Sequence, residues 1–169
     1  MKKLLILLIS LFGLNVSAAE GYKDMKFGSS IDEVRKRKLC LSMWEELDAN
    51  NVWRCNQFKF AKQPIKAIIR FADQKLELIN LVLVTHERDR VSQGLRQQYG
   101  EPTYISGNIT LGQELPTDQK WFMVFDDDSI RLIFIPAAKV DTPQGQTSVP
   151  AQLNLHYQPK RANSLLDDL

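Results

Sequence analysis

The sequence predicts an α+β fold: a mostly antiparallel sheet with two main helices packed on it. Three observations carry this. Helix start and stop signals bracket two stretches, at Ser30 to Glu33 and at Tyr99 to Pro102. Short runs of strand-like apolar patterning follow each helix. The order helix, strand, strand, strand occurs twice, which is compatible with duplication of one unit, although almost no residues align between the halves.

The chain opens with Met1, Lys2 and Lys3, followed by Leu4 to Ile9 and then Leu11, Phe12, Leu14 and Val16. A positive start, an apolar middle and small residues after it are the regions of a secretory signal peptide. A membrane-spanning helix needs about 20 apolar residues, and this run is shorter and broken by Ser10, Gly13 and Asn15. Val16-Ser17-Ala18 and Ser17-Ala18-Ala19 both satisfy the small-residue cleavage rule, so the mature chain is expected to begin at Ala19 or Glu20. The first cysteine is Cys40, which excludes a lipidated cysteine at the cleavage point. This assigns residues 1–19 to the signal, 20–158 to one α+β domain and 159–169 to a tail. The product is expected in the periplasm or medium, without stable membrane insertion.

Export changes the charge balance. The chain has 22 Lys and Arg against 20 Asp and Glu, and the signal holds Lys2, Lys3 and no acid, so the mature protein is neutral. That balance gives no support to a nucleic-acid partner. Two cysteines in an oxidising compartment predict one disulfide, Cys40 to Cys55, contributing roughly 3 kcal/mol in the loop-entropy account. A redox site of the Cys-x-x-Cys kind does not fit the spacing.

Element by element, Gly21 to Phe27 reads as an extended lead-in. Ser30 and Glu33 form a capping box that starts a helix with Ile31, Val34 and Leu39 inward and Arg35, Lys36, Arg37 and Lys38 on its later turns. Val52 to Ala61 is strand-like but switches face between Cys55 and Phe58, which predicts a bulge at Asn56-Gln57. Ile65 to Ala72 alternates cleanly, and Leu76 to Val84 is apolar on both sides, as in a central strand or a binding face. The second helix, about Glu87 to Tyr99, ends at Gly100. Strands then follow at Lys120 to Phe125, Ser129 to Ile135 and Gln152 to Tyr157, the last with Leu153, Leu155 and Tyr157 inward and Gln152, Asn154 and His156 outward. Thr103 to Gln119 and Ala137 to Pro150 read as long loops.

The chemical inventory is thin. His86 sits at the start of the second helix, and His156 reads as solvent-facing, with no ionisable neighbour along its own strand. Both histidines are therefore expected to be dispensable for activity, although cross-strand approach by Arg131 or by Asp126, Asp127 or Asp128 stays open. The three aspartates suit a hairpin turn better than a calcium loop, which would need a Gly and a distal Glu. Trp53 and Trp121 read as sheet residues. Trp44, in the disulfide loop, is either buried or the best-placed exposed aromatic anchor. With the basic run Arg35, Lys36, Arg37 and Lys38 it forms the candidate binding surface, while a dipole-favoured, solvated helix end explains the run equally well. No cofactor or metal is expected.

Phe27-Gly28-Ser29-Ser30-Ile31-Asp32-Glu33-Val34 and Leu95-Arg96-Gln97-Gln98-Tyr99-Gly100-Glu101-Pro102 resemble phrases of small exported envelope proteins of the BamE type and of the related β-lactamase-inhibitor-protein architecture. The likeness covers those two stretches, and the lipidated N-terminal cysteine of the outer-membrane assembly lipoproteins is missing. The resemblance implies helices on one face of an antiparallel sheet and protein binding without catalysis. The expected role is a non-catalytic binding or accessory protein of the bacterial cell envelope whose partner is another envelope or secreted protein. Two alternatives are an inhibitor of a secreted hydrolase, presenting Met43 to Asn51 or Thr103 to Gln119 to a cleft, and a hydrolase with a site near His156 and Arg131.

Overall fold

The computed structural model describes residues 19–160 apart from 49–50, 62, 108, 111 and 144. The expected signal lies outside the described residues except for Ala19, as does the expected tail except for Pro159 and Lys160.

A two-stranded hairpin, β1 (Gly21–Tyr22) and β2 (Met25–Lys26), precedes α1 (Ile31–Lys36). The capping box is present: Glu33 N donates to Ser30 Oγ (3.4 Å) and Ser30 N to Glu33 Oε2 (2.8 Å). Those bonds from Ser30, backbone first, hold the Glu33 carboxyl below its usual range, with help from the Lys36 and Arg37 charges. The helix is shorter than the sequence suggests. It stops at Lys36, Arg37 caps it and Lys38 turns left-handed (φ 52°), so Arg37 and Lys38 lie on the exit.

Four strands follow: β3 (Glu45–Asp48), β4 (Val52–Phe60), β5 (Gln63–Ala72) and β6 (Lys75–Leu83). The β4 register shifts between Cys55 and Phe58, where one extra residue in β4 brings Phe58 opposite Ile65 on the same face as Trp53 and Cys55. A 3-10 turn (Thr85–Glu87) leads into α2 (Arg88–Tyr99), closed by Gly100 at φ 83°. Then come β7 (Tyr104–Ser106), β8 (Trp121–Phe125), β9 (Ile130–Ile135), a separate hairpin of β10 (Ala138–Thr142) and β11 (Gly145–Val149), and β12 (Gln152–Tyr157). Both expected long loops thus contain strand: β7 begins the first, and β10 and β11 fill most of the second.

The main sheet is antiparallel in the order β3-β4-β5-β6-β12-β9-β8-β7. The α+β class with two packed helices is therefore the observed one. Each helix is followed by four strands of the sheet, and the halves join through their last strands, β6 and β12, with Leu81 opposite Leu155. One face carries the core, including Phe58, Ile69, Ile79, Leu81, Leu132 and Trp121, all fully buried. Both helices pack on it. Val34 of α1 and Leu95 of α2 belong to that core, and Ser92 of α2 donates to Met123 Sδ (3.4 Å).

Cys40 and Cys55 are bonded, with Cα atoms 5.9 Å apart. The bond ties the chain leaving α1 to β4, beside an isolated bridge between Cys40 and Phe58. The stretch around Glu114 and Leu115 is also held down. Buried Arg88 donates through Nε to Leu115 O (3.0 Å) and through its other nitrogen to Glu114 Oε1 (2.6 Å), while Asp89 accepts from Leu115 N (3.1 Å).

Candidate functional site

Side chains of paired residues share a face, so the register reads out what lies opposite the helices. One row crosses the sheet as Arg54, Ile68, Asn80, His156, Arg131, Val124 and Tyr104. The next is Lys66, Val82, Asn154, Ile133, Phe122 and Ser106. Uncovered antiparallel faces usually carry polar residues. Here Ile68, Val82, Ile133 and Phe122 are half-buried, Tyr104 is exposed, and Tyr104 and Phe122 have ring centroids 5.5 Å apart.

His156 occupies the middle of this face, between Asn80 and Arg131; it lies on the side away from the helices, as alternation predicts, but is half-buried there rather than fully exposed. Flanking strands on both sides shield it, and Asn154 beside it is only 8% exposed. Burial first, and then the Arg131 charge, push the His156 imidazole below its usual range, so the ring is neutral at neutral pH. Arg131 does approach, as cross-strand geometry allowed, but its guanidinium is engaged by both oxygens of Asp128 at 2.5 Å. Among the described residues no carboxylate or hydroxyl is hydrogen-bonded to His156, so the orienting partner that a general base uses is missing there. Arg54 Nε and Asn80 Oδ1 on the same row are buried without a hydrogen-bond partner among the described residues. The face thus leaves hydrogen-bonding capacity unused.

The surface proposed from sequence is placed elsewhere. Trp44 is 8% exposed and meets Phe58 edge-on at 6.0 Å, so it belongs to the core beside the disulfide and is not an exposed anchor. Burying its large ring outweighs any local preference of an acidic loop for solvent. Arg35, Lys36, Arg37 and Lys38 are exposed, but on the helical side. There the Arg35 guanidinium lies 4.7 Å from the centroid of Trp53, a half-buried residue of that face, and pairs with Asp32 at 3.6 Å. His86 is exposed, 3.6 Å from Glu87. Asp126, Asp127 and Asp128 form the β8–β9 turn, all left-handed, and each carboxylate is already engaged: Asp126 by Ser129 (2.6 Å), Asp127 by Lys160 and Asp128 by Arg131. Among the described residues no cluster has the make-up of a metal site, and no helix is long and apolar enough to cross a membrane.

A second feature escaped sequence reasoning. Between β1, the end of β4 and α2 lies a cleft of about 530 Å³ where Tyr22, Tyr99 and Tyr157 meet, lined also by Gly94 and Leu95 of α2. Burial pushes the Tyr22 phenol up to about 12 and raises Tyr157 and Tyr99 as well, so the three phenols are neutral at neutral pH, while the Lys23 ammonium lies 5.3 Å from the Tyr22 ring centroid. The tyrosines come from three distant segments, which no local pattern connects.

Architecture and register define an α+β protein with helices on one sheet face and mixed apolar and polar rows on the other. Residues 22–165 match a family model described as "Uncharacterised protein", and the chain belongs to that family. It is 28% identical over 110 residues to an uncharacterized protein of Pasteurella multocida (strain Pm70), a match covering 59% of this chain and 56% of the relative. The match thus spans little more than half the length of that curated relative. No solved structure matches.

Proposed function

We propose that this is a non-catalytic binding or accessory protein of the bacterial periplasm, and that the sheet face opposite the helices is its contact surface for another envelope or secreted protein. The observation that carries the reading is the row pattern itself: Ile68 and Val82 on one side and Ile133, Phe122 and Tyr104 on the other flank a polar strip of Asn80, His156, Asn154 and Arg131, with Arg54 and Lys66 towards one edge. Aromatic residues and arginine are enriched at protein interfaces, and both stand on this face beside uncovered aliphatic side chains. Seven strands from β4 to β7 at about 4.8 Å spacing span about 29 Å, wide enough for a standard patch of roughly 800 Å² per partner.

Compartment rests on the charged, apolar and small-residue order of Met1 to Ala19, and the Cys40–Cys55 bond supports it, because such bonds persist in oxidising compartments. The arrangement of both helices on one sheet face agrees with what the resemblance to exported envelope proteins implies. The test is co-purification from an envelope extract with the mature protein as bait, repeated with Phe122→Glu and Ile133→Glu. A stoichiometric partner retained by the native protein and lost by both variants, at unchanged thermal unfolding, supports the reading. A partner retained by both variants removes the face from the account.

One observation favours the inhibitor alternative as a second reading. Leu41 and Met43, beside the disulfide, are 55% and 77% exposed, an apolar loop braced by a covalent bond. In that case the co-purifying partner is a hydrolase, and Met43→Asp rather than the face variants releases it.

A further inference from the structure

Three aspartates in succession form the β8–β9 turn, and two of them hold a side-chain cation: Arg131 on Asp128 and Lys160 on Asp127. Among the described residues the third, Asp126, has no side-chain cation within pairing distance. Its Oδ2 instead accepts from the backbone nitrogen of Ala19, 2.5 Å away and 107 residues distant in sequence, and from the hydroxyl of fully buried Ser129 at 2.6 Å. Ser129 fixes the carboxylate from one side. Ala19 is fixed as well, since it packs against the core and the next residue, Glu20, accepts from Phe27 N at 2.8 Å. Ala19 is also one of the two residues at which the small-residue rule allows the mature chain to begin.

We propose that the signal is cut between Ala18 and Ala19, not between Ala19 and Glu20, and that the α-ammonium so created is the missing cation of Asp126. The inference rests on the export reading. Water adds across the Ala18–Ala19 peptide bond: the C–N bond breaks, Ala18 keeps the carboxylate, and the Ala19 nitrogen takes up protons to become an ammonium. Before cleavage that nitrogen is an amide that offers Asp126 one neutral donor. After cleavage it offers a charge-assisted bond, roughly twice as strong as a neutral one. Processing therefore staples the N-terminus to the far turn and completes the set of one cation per aspartate. Cleavage one residue later would delete the donor and leave Asp126 with Ser129 alone.

The test starts with intact-mass analysis of the protein recovered from the periplasm, then compares its thermal unfolding with that of the α-amine-acetylated protein, of Asp126→Asn, and of Asp126→Asn after acetylation. A chain beginning at Ala19 is expected. Acetylation and Asp126→Asn should each lower Tm by about 2 to 4 °C, and the two together should lower it no further than either alone. Asp126→Asn also disturbs Ser129, so the acetylated native protein and the non-additivity decide the matter. A chain beginning at Glu20 overturns the inference and leaves the export reading standing. A chain that keeps Met1 overturns both. Additive losses, or no change of Tm on acetylation, overturn the pairing.

Discussion

His156 stands directly opposite Arg131 in the β12–β9 register, on the sheet face that carries neither helix, and Arg131 is held by Asp128. The pairing has a pH signature. The His156 proton is bound more weakly in the fold than in the unfolded chain, where the ordinary value is about 6.5, so its neutral form is the one the fold accepts. The associated stability is fully present above about pH 6.5 and is lost as pH falls towards and through the depressed folded value, because the unfolded chain takes up the proton first. Denaturant unfolding of the native protein and of His156→Gln between pH 7.5 and 5 checks this: the native protein should lose more stability on acidification than the variant. Equal losses would show that burial of His156 has no linked cost.

Loss of the Cys40–Cys55 bond should act on stability alone. Cys55→Ser is expected to lower it by roughly 2 to 4 kcal/mol, mainly by releasing the unfolded chain, and to leave partner capture unchanged at temperatures where the variant is folded. Thiol labelling of the native protein should find no free thiol, and chemical denaturation gives the magnitude.

The tyrosine cleft predicts alkaline sensitivity. Tyr22 is held neutral to about 12, and Tyr157 and Tyr99 are raised too, all by burial first. Groups raised in the fold stabilise it below their unfolded value, about 10 for a phenol, and that stability is lost as pH climbs through the folded values. Phenolate absorbance followed with far-ultraviolet circular dichroism should show one set of tyrosines ionising together with unfolding. Complete ionisation near pH 10 in a folded protein would contradict the described burial.

Arg88 should hold the stretch around Glu114 and Leu115 in place. Arg88→Met removes its bonds to Leu115 O and Glu114 and is expected to cost about 1.5 to 3 kcal/mol. Limited proteolysis should find new cleavage in that segment while α2 stays intact.

The legible parts of the fold were those written in local chemistry. Ser30 and Glu33 announce their capping box by spacing, Gly100 its helix end, and the face switch between Cys55 and Phe58 its bulge. β10 and β11 were hidden because most of their residues are exposed, so no period-two contrast marks Ala138–Thr142 or Gly145–Val149 as strand. Trp44 was ambiguous since its partner Phe58 lies across the disulfide loop. His156 looked exposed because alternation assigns a face without revealing what flanks it. The row through Asn80, His156 and Arg131 depends on β6 pairing with β12, a long-range choice that sequence spacing does not encode.

Crosslinking in the living cell reports whether the face carrying Phe122 and Ile133 makes the proposed contact. A photoreactive amino acid is placed singly at Phe122, Ile133, Lys36 or Gln97, the last two on exposed positions of α1 and α2. Irradiated envelopes are then resolved by mass. Adducts of one common mass are expected from positions 122 and 133, and none from 36 and 97. Adducts from 36 or 97, with none from 122 and 133, would return the contact surface to the helical side.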